Sequence, residues 1–141
     1  GLGDVYKRQI VNRAYGYGLQ PHDLLLDPLV LTLASGEDSA RQTLRTLQLY
    51  KEKFGFLTVM GLSNISFGMP QRAFVNTAFL NVALSKGLNM AIANPSQEML
   101  MYSALAVDML LEKPGASERY LESVPQGALC SSPALVEPEK P

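Results

Sequence analysis

Three short apolar runs alternate with helical periods along most of this chain. The first covers residues 24–31 and follows the turn Pro21-His22-Asp23. The second covers 56–60 and stops at Gly61. The third covers 88–93 and stops at Asn94-Pro95. Unbroken apolar runs of this length between turn signals predict strands buried on both faces, the parallel-sheet kind. Between them lie segments with helical spacing. Residues 10–17 place Ile10, Val11, Ala14 and Tyr15 on one side and end at Gly18. A second helix opens at Ser35-Gly36-Glu37-Asp38, with acid in its first turn where the helix dipole favours it, and closes at Gly55. Its inward set is Ala40, Leu44, Leu47 and Leu49. A third helix, about 71–86, follows Pro70 and precedes Gly87, with Phe74, Ala78, Phe79, Val82 and Ala83 facing inward. Asn94-Pro95 reads as an N-cap with proline at N1, starting a fourth helix that runs to about Glu112 and breaks at Pro114-Gly115. A short helical piece covers 117–124.

Strand and helix alternating three times predict βαβ units and a parallel sheet. Right-handed crossovers put the C-terminal ends of all three strands on one edge, where such folds carry function. Asp27, then Ser63, Asn64 and Ser66, then Asn94 fall there. Three strands cannot close a barrel, so the pattern alone predicts a thin sheet with helices.

Composition narrows the functional classes. The 141 residues are 47% hydrophobic and 18% charged, which suits a globular domain, and the net charge of -1 offers no basic surplus for nucleic acid. No apolar run approaches the ~18 residues of a membrane span, and no charged start followed by an apolar stretch marks a signal peptide. A single cysteine, Cys130, excludes an internal disulfide and suits a cytoplasmic setting. The chain opens on Gly1 and not on Met, which reads as a piece of a longer protein. Residues 1–9 read as a foreign N-terminus, 10–124 as the folded portion, and 125–141, rich in Pro and Ser without a period, as a linker or tail.

The available chemistry is sparse. No Cys/His spacing suits a zinc site, and His22 lies at the wrong end of the first strand for a Ser-His-Asp arrangement. Neither G-x-x-x-x-G-K-[ST] nor G-x-G-x-x-G occurs. One carboxylate, two hydroxyls and carboxamides remain at the edge, a set that recognises a flat heterocycle by hydrogen bonds. Each has a plainer reading. Asp27 before Pro28 can serve a turn, Asn64 an ordinary loop, Asn94 a helix cap, and Arg72 a solvated first turn. Met99, Met101 and Met109 read as core filler.

Three separated segments carry a family resemblance: T-V-M-G-L-S-N-I-S-F-G-M-P-Q-R at 58–72, L-L-D-P-L-V-L at 25–31, and M-A-I-A-N-P at 90–95. In order and spacing they resemble the methyltetrahydrofolate-binding methyltransferases over roughly 10–121, nearest the pterin-binding module of cobalamin-dependent methionine synthase. The resemblance implies an α/β fold forming strands six to eight of a (β/α)8 TIM-type barrel like that of dihydropteroate synthase. It implies substrate-binding roles for Asp27, Asn64, Arg72, Ile92, Ser63 and Ser66. By position, Asp27 matches the carboxylate on the polar edge of the pterin, and Asn64 the catalytic asparagine at N5, the atom bearing the methyl. Arg72 matches a loop arginine near the pterin, and Ile92 an apolar ring contact, while Ser63 and Ser66 would shape the loop. The implied substrate is 5-methyltetrahydrofolate, whose methyl would pass to cob(I)alamin in methionine synthesis. Cobalamin would sit on a partner domain or corrinoid protein, and zinc in a separate domain of the parent enzyme. The alternatives are a free-standing methyltransferase serving a corrinoid iron–sulfur protein, and a non-catalytic pterin-binding module. Dihydropteroate synthases carry a loop lysine and a terminal arginine and histidine that this chain lacks, so that activity is rejected. Because earlier strands supply further pterin contacts, the chain alone is expected to be inactive and marginally stable.

Overall fold

The computed structural model describes residues 2–36 and 38–125. Over them the chain runs α1 (Leu2–Gly16), β1 (Leu25–Leu26), α2 (Ser39–Phe54), β2 (Leu57–Gly61), α3 (Arg72–Ser85), β3 (Met90–Ile92), α4 (Glu98–Leu110) and α5 (Ala116–Ser123). Short 3-10 turns occupy Pro21–Asp23, Leu33–Ser35 and Leu62–Ser66. The strands form one parallel sheet in the order β1-β2-β3, as the alternation of runs and helices predicts. The expected tail at 125–141 lies, apart from Pro125, outside the described residues, as does Cys130.

Register decides what each face of the sheet does. Leu25 pairs with Leu57, Val59 with Met90, and Gly61 with Ile92. Successive side chains point to opposite faces, so these six share one face. Its large side chains stand open: Leu25, Leu57, Met90 and Ile92 are 41–69% exposed. Thr58 and Met60, of the opposite parity, are almost wholly buried. Met60 joins Leu47 of α2, Phe79, Leu80 and Ala83 of α3, and Leu100 of α4 in a single core. Helices therefore cover one face, and the sheet buried on both faces that the apolar runs predict is not what these residues build.

Local chemistry explains the other differences from the sequence pattern. The run at 24–31 yields only a two-residue strand. Pro28 has no N–H for a ladder, Leu29 takes a positive φ of 60°, and the Leu29 N–H donates to Asp27 Oδ1 at 2.8 Å. The chain thus turns out of the sheet just after Leu26. In α3 Phe79 and Ala83 face the core as expected, and the rest of the buried stripe is shifted. Asn76, Thr77, Phe79, Leu80 and Ala83 are buried, whereas Phe74, Ala78 and Val82 are exposed. On α2, Ser39, Thr43, Leu47 and Tyr50 form the buried stripe, with Ala40 and Leu44 half-buried beside it. The fourth helix begins at Glu98, later than Asn94-Pro95 implied, because Asn94 Oδ1 accepts from the Ser96 N–H at 3.0 Å and closes a separate turn. Helix α1 begins at Leu2, so helical backbone runs through most of the stretch read as foreign.

One polar cluster joins β2 to the approach of β3. The Thr58 N–H donates to Asn89 Oδ1 at 2.9 Å, and the Asn89 N–H donates to Thr58 Oγ1 at 3.1 Å. These bonds sit at the N-terminal ends of the strands, and Gly87, at φ 101°, makes the turn before them.

Candidate functional site

The loop leaving β2 is anchored from below. Leu62, Ile65 and Ser66 are buried at 1% exposure or less, which leaves Ser63 and Asn64 on the outer side of the 3-10 turn. Asn64 folds back over the end of the strand: a Cβ placed on Gly61 would stand 3.5 Å from Asn64 Nδ2. Since Gly61 belongs to the open face and pairs with Ile92, the Asn64 carboxamide occupies the top of that face beside Ile92. Asp27 follows β1 directly and stands exposed where the chain leaves the sheet. The structure therefore places Asp27, Asn64 and Ile92 at the C-terminal ends of three neighbouring strands, which are spaced ~5 Å apart.

Arg72 does something different from reaching outward. Its Nε donates to Ser66 Oγ at 3.0 Å and its Nη2 donates to the Ser63 carbonyl at 2.9 Å. Its guanidinium also lies 5.6 Å from the centroid of the Phe67 ring. Ser66 Oγ in turn donates to the Ser63 carbonyl at 3.2 Å. The fork of Arg72 thus clasps both ends of the loop that presents Asn64. A further tie comes from Thr32, whose hydroxyl donates to the Phe67 carbonyl at 2.5 Å. Ser66 is too deeply buried to meet a ligand and belongs to this clasp.

Beside Ser63 a cavity of about 180 Å³ opens between the β3 exit and the first turns of α3 and α4. Ile92, Asn94, Gln97, Leu100 and Asn76 line it. Asn76 and Gln97 escaped the sequence reading. The signal for Asn76 was a carboxamide on the buried phase of α3, visible only once that phase is known. A larger cavity, about 380 Å³, lies by Gly55, Gly87 and Asn89 at the opposite edge. That is the end of a parallel α/β sheet that serves stability more than binding. Among the described residues no three His, Cys, Asp or Glu side chains converge as a metal site requires, and no helix is long and apolar enough to cross a membrane.

Comparison with known proteins identifies the family. The sequence profile of a family described as pterin binding enzyme matches residues 4–94. The methylcorrinoid:tetrahydrofolate methyltransferase of Eubacterium limosum is 27% identical over 123 residues, which cover 86% of this chain and 45% of that protein. The methionine synthase of Mycobacterium tuberculosis is 32% identical over 105 residues, 70% of this chain and 9% of that protein. That of Mycobacterium leprae is 31% identical over 101 residues, 67% of this chain and 8% of its own length. The chain thus spans less than half of each of these relatives.

Proposed function

The chain belongs to the pterin-binding enzyme family, and we propose that it is the C-terminal part of a (β/α)8 barrel whose parent binds 5-methyltetrahydrofolate and passes its N5 methyl to cob(I)alamin in methionine synthesis. The observation that carries this is the placement of Asp27, Asn64 and Ile92 at the C-terminal edge of one parallel sheet, with Ile92 on its open face and Asn64 beside it. In a closed barrel that face would be the interior.

Each residue has a task that suits its chemistry. Asp27 has one carboxylate oxygen engaged by the Leu29 N–H and retains acceptor sites for the paired N–H groups of an amidine-like pterin edge. Ile92 offers an apolar surface to the ring. Asn64 meets N5. A tertiary amine is a poor leaving group, so N5 must gain positive character before the methyl departs. A carboxamide can donate to N5 or turn and accept from its protonated form, which stabilises the charge that develops. Arg72, Ser63 and Ser66 hold that carboxamide in position. Cobalamin, carried by a partner domain or corrinoid protein in a reducing cytoplasm, supplies a low-valent cobalt as methyl acceptor. Zinc would belong to another domain of the parent.

A second reading rests on the Eubacterium limosum relative, which matches more of this chain than the methionine synthases do. On that reading the parent would be a free-standing methyltransferase between methyltetrahydrofolate and a corrinoid iron–sulfur protein. A non-catalytic pterin-binding module is the remaining alternative.

Calorimetric titration of the chain with 5-methyltetrahydrofolate tests the proposal. Saturable binding is expected, lost in Asp27→Ala. In the whole parent enzyme with cob(I)alamin added, Asn64→Ala is expected to bind folate and transfer no methyl. A folded chain that binds no folate overturns the assignment for this chain, and equal transfer by Asn64→Ala overturns the role of Asn64.

A further inference from the structure

Leu29 holds a conformation that leucine disfavours, and its own side chain does nothing to keep it there. Its φ of 60° lies in the left-handed region, while the side chain is 66% exposed. Pro28 and Val30 on either side are buried. Such a residue persists where its surroundings over-determine it. One tie comes from α2. Thr43, 2% exposed, donates its hydroxyl to the Leu29 carbonyl at 3.2 Å. The same hydroxyl stands 3.2 Å from the Ser39 carbonyl, one helical turn back. Any helical threonine can make that second bond. The reach to Leu29, 14 residues away, is what the packing of α2 adds. On its other side, the Leu29 N–H donates to Asp27 Oδ1 at 2.8 Å. One residue of strained backbone thus stands between the hydroxyl of a buried threonine and the carboxylate at the strand end.

Resting on the folate reading above, we propose that Thr43 is a positioning residue for Asp27. Its hydroxyl meets no ligand. It holds the Leu29 carbonyl and with it the left-handed turn. The turned N–H pins one carboxylate oxygen and leaves the other for the paired N–H groups of the pterin edge. Without the hydroxyl, Leu29 relaxes toward negative φ, its N–H leaves Asp27, and the carboxylate moves among its rotamers. The site then loses its grip on the amidine-like edge and keeps its contacts with the rest of the ligand.

Calorimetry on the full 141-residue chain tests this with 5-methyltetrahydrofolate and its 2-desamino counterpart, which lacks the amino group of that edge. The unaltered chain is expected to bind the first at least about tenfold more tightly. In Thr43→Val, which keeps the shape and removes the hydroxyl, that preference is expected to fall below about threefold. Thr43→Ser, which keeps a hydroxyl, is expected to preserve it. Adding Leu29→Gly to Thr43→Val is expected to restore it, because glycine takes a positive φ without help. This double variant also carries the test where the valine variant alone does not fold. A Thr43→Val chain that keeps the preference overturns the proposal, even if both ligands bind more weakly, since a threonine with only a structural role behaves so. A double variant without the preference overturns it too. Equal binding of the two ligands by the unaltered chain overturns this proposal and leaves the folate reading standing. If the unaltered, folded chain binds neither, the folate reading fails for this chain and the proposal fails with it.

Discussion

Replacing Arg72 by alanine separates two explanations of its presence. If it clasps the Asn64 loop, its removal destabilises the fold as well as the site. The bond from Nε to the buried Ser66 Oγ contributes about 1 to 1.5 kcal/mol, and the exposed bond to the Ser63 carbonyl about 0.5. Stacking over Phe67 at an exposed position adds about 0.5. The expected loss is roughly 2 kcal/mol, a large share of the stability of a chain with one sheet face uncovered. Urea denaturation followed by circular dichroism should show it as a fall in midpoint of about 1 M, with the slope unchanged. Folate affinity should fall together with stability, because Asn64 loses its fixed position. Arg72→Lys keeps the charge but not the fork, so it should recover less than half of the lost stability. A midpoint within about 0.2 M of the parent, with folate binding abolished, would refute this reasoning, because the guanidinium would then be acting on the ligand and not on the loop.

Two further predictions concern the sheet. Met60→Ala should cost about 2 to 5 kcal/mol, since Met60 is fully buried, whereas Ile92→Lys on the open face should stay within about 0.5 kcal/mol in the isolated chain; comparable losses in thermal denaturation would show that the open face is covered in solution. Gly87→Ala should destabilise by about 1 to 3 kcal/mol, because its φ of 101° disfavours a side chain and the new Cβ would stand 2.5 Å from Lys51 Cδ; an unchanged melting temperature would contradict this.

The order of elements was legible because parallel strands and their helices leave distinct periods, and the runs ending at Gly61 and before Asn94 mark the strand ends to within a residue or two. What the pattern could not convey was which face is covered. Leu25, Leu57 and Ile92 look the same in sequence as Met60, although the first three are open and the last is closed. The extent of β1 was overread because an apolar run continues through Leu31, while a proline and a positive φ at Leu29 end the ladder after two residues. On α3 Phe79 and Ala83 were legible, but Phe74 and Val82 mislead, and the polar Asn76 and Thr77 conceal the rest of the buried stripe. Of the candidate site, Asp27, Asn64 and Ile92 were recoverable as strand-end residues carried by three matching segments. The Arg72 clasp was not, since nothing in its spacing says whether a first-turn arginine turns toward the loop or away from it. Gly61 carries the strand-end signal in the sequence, and the Asn64 amide packs over it at ordinary contact distance.

The Thr58–Asn89 pair has a bearing on a part of the molecule it never touches. Its reciprocal bonds act as a zero mark for how β3 is laid against β2. Sliding β3 by one residue would forfeit both bonds and set Ala91 or Ala93 next to Gly61 in place of Ile92. From Thr58 to Gly61 is three residues, ~10 Å along the strand. The alignment of the ligand edge is thus calibrated at the far edge, so that wear at Thr58 or Asn89 would surface first as a misplaced wall beside Asn64, with the helices still in place.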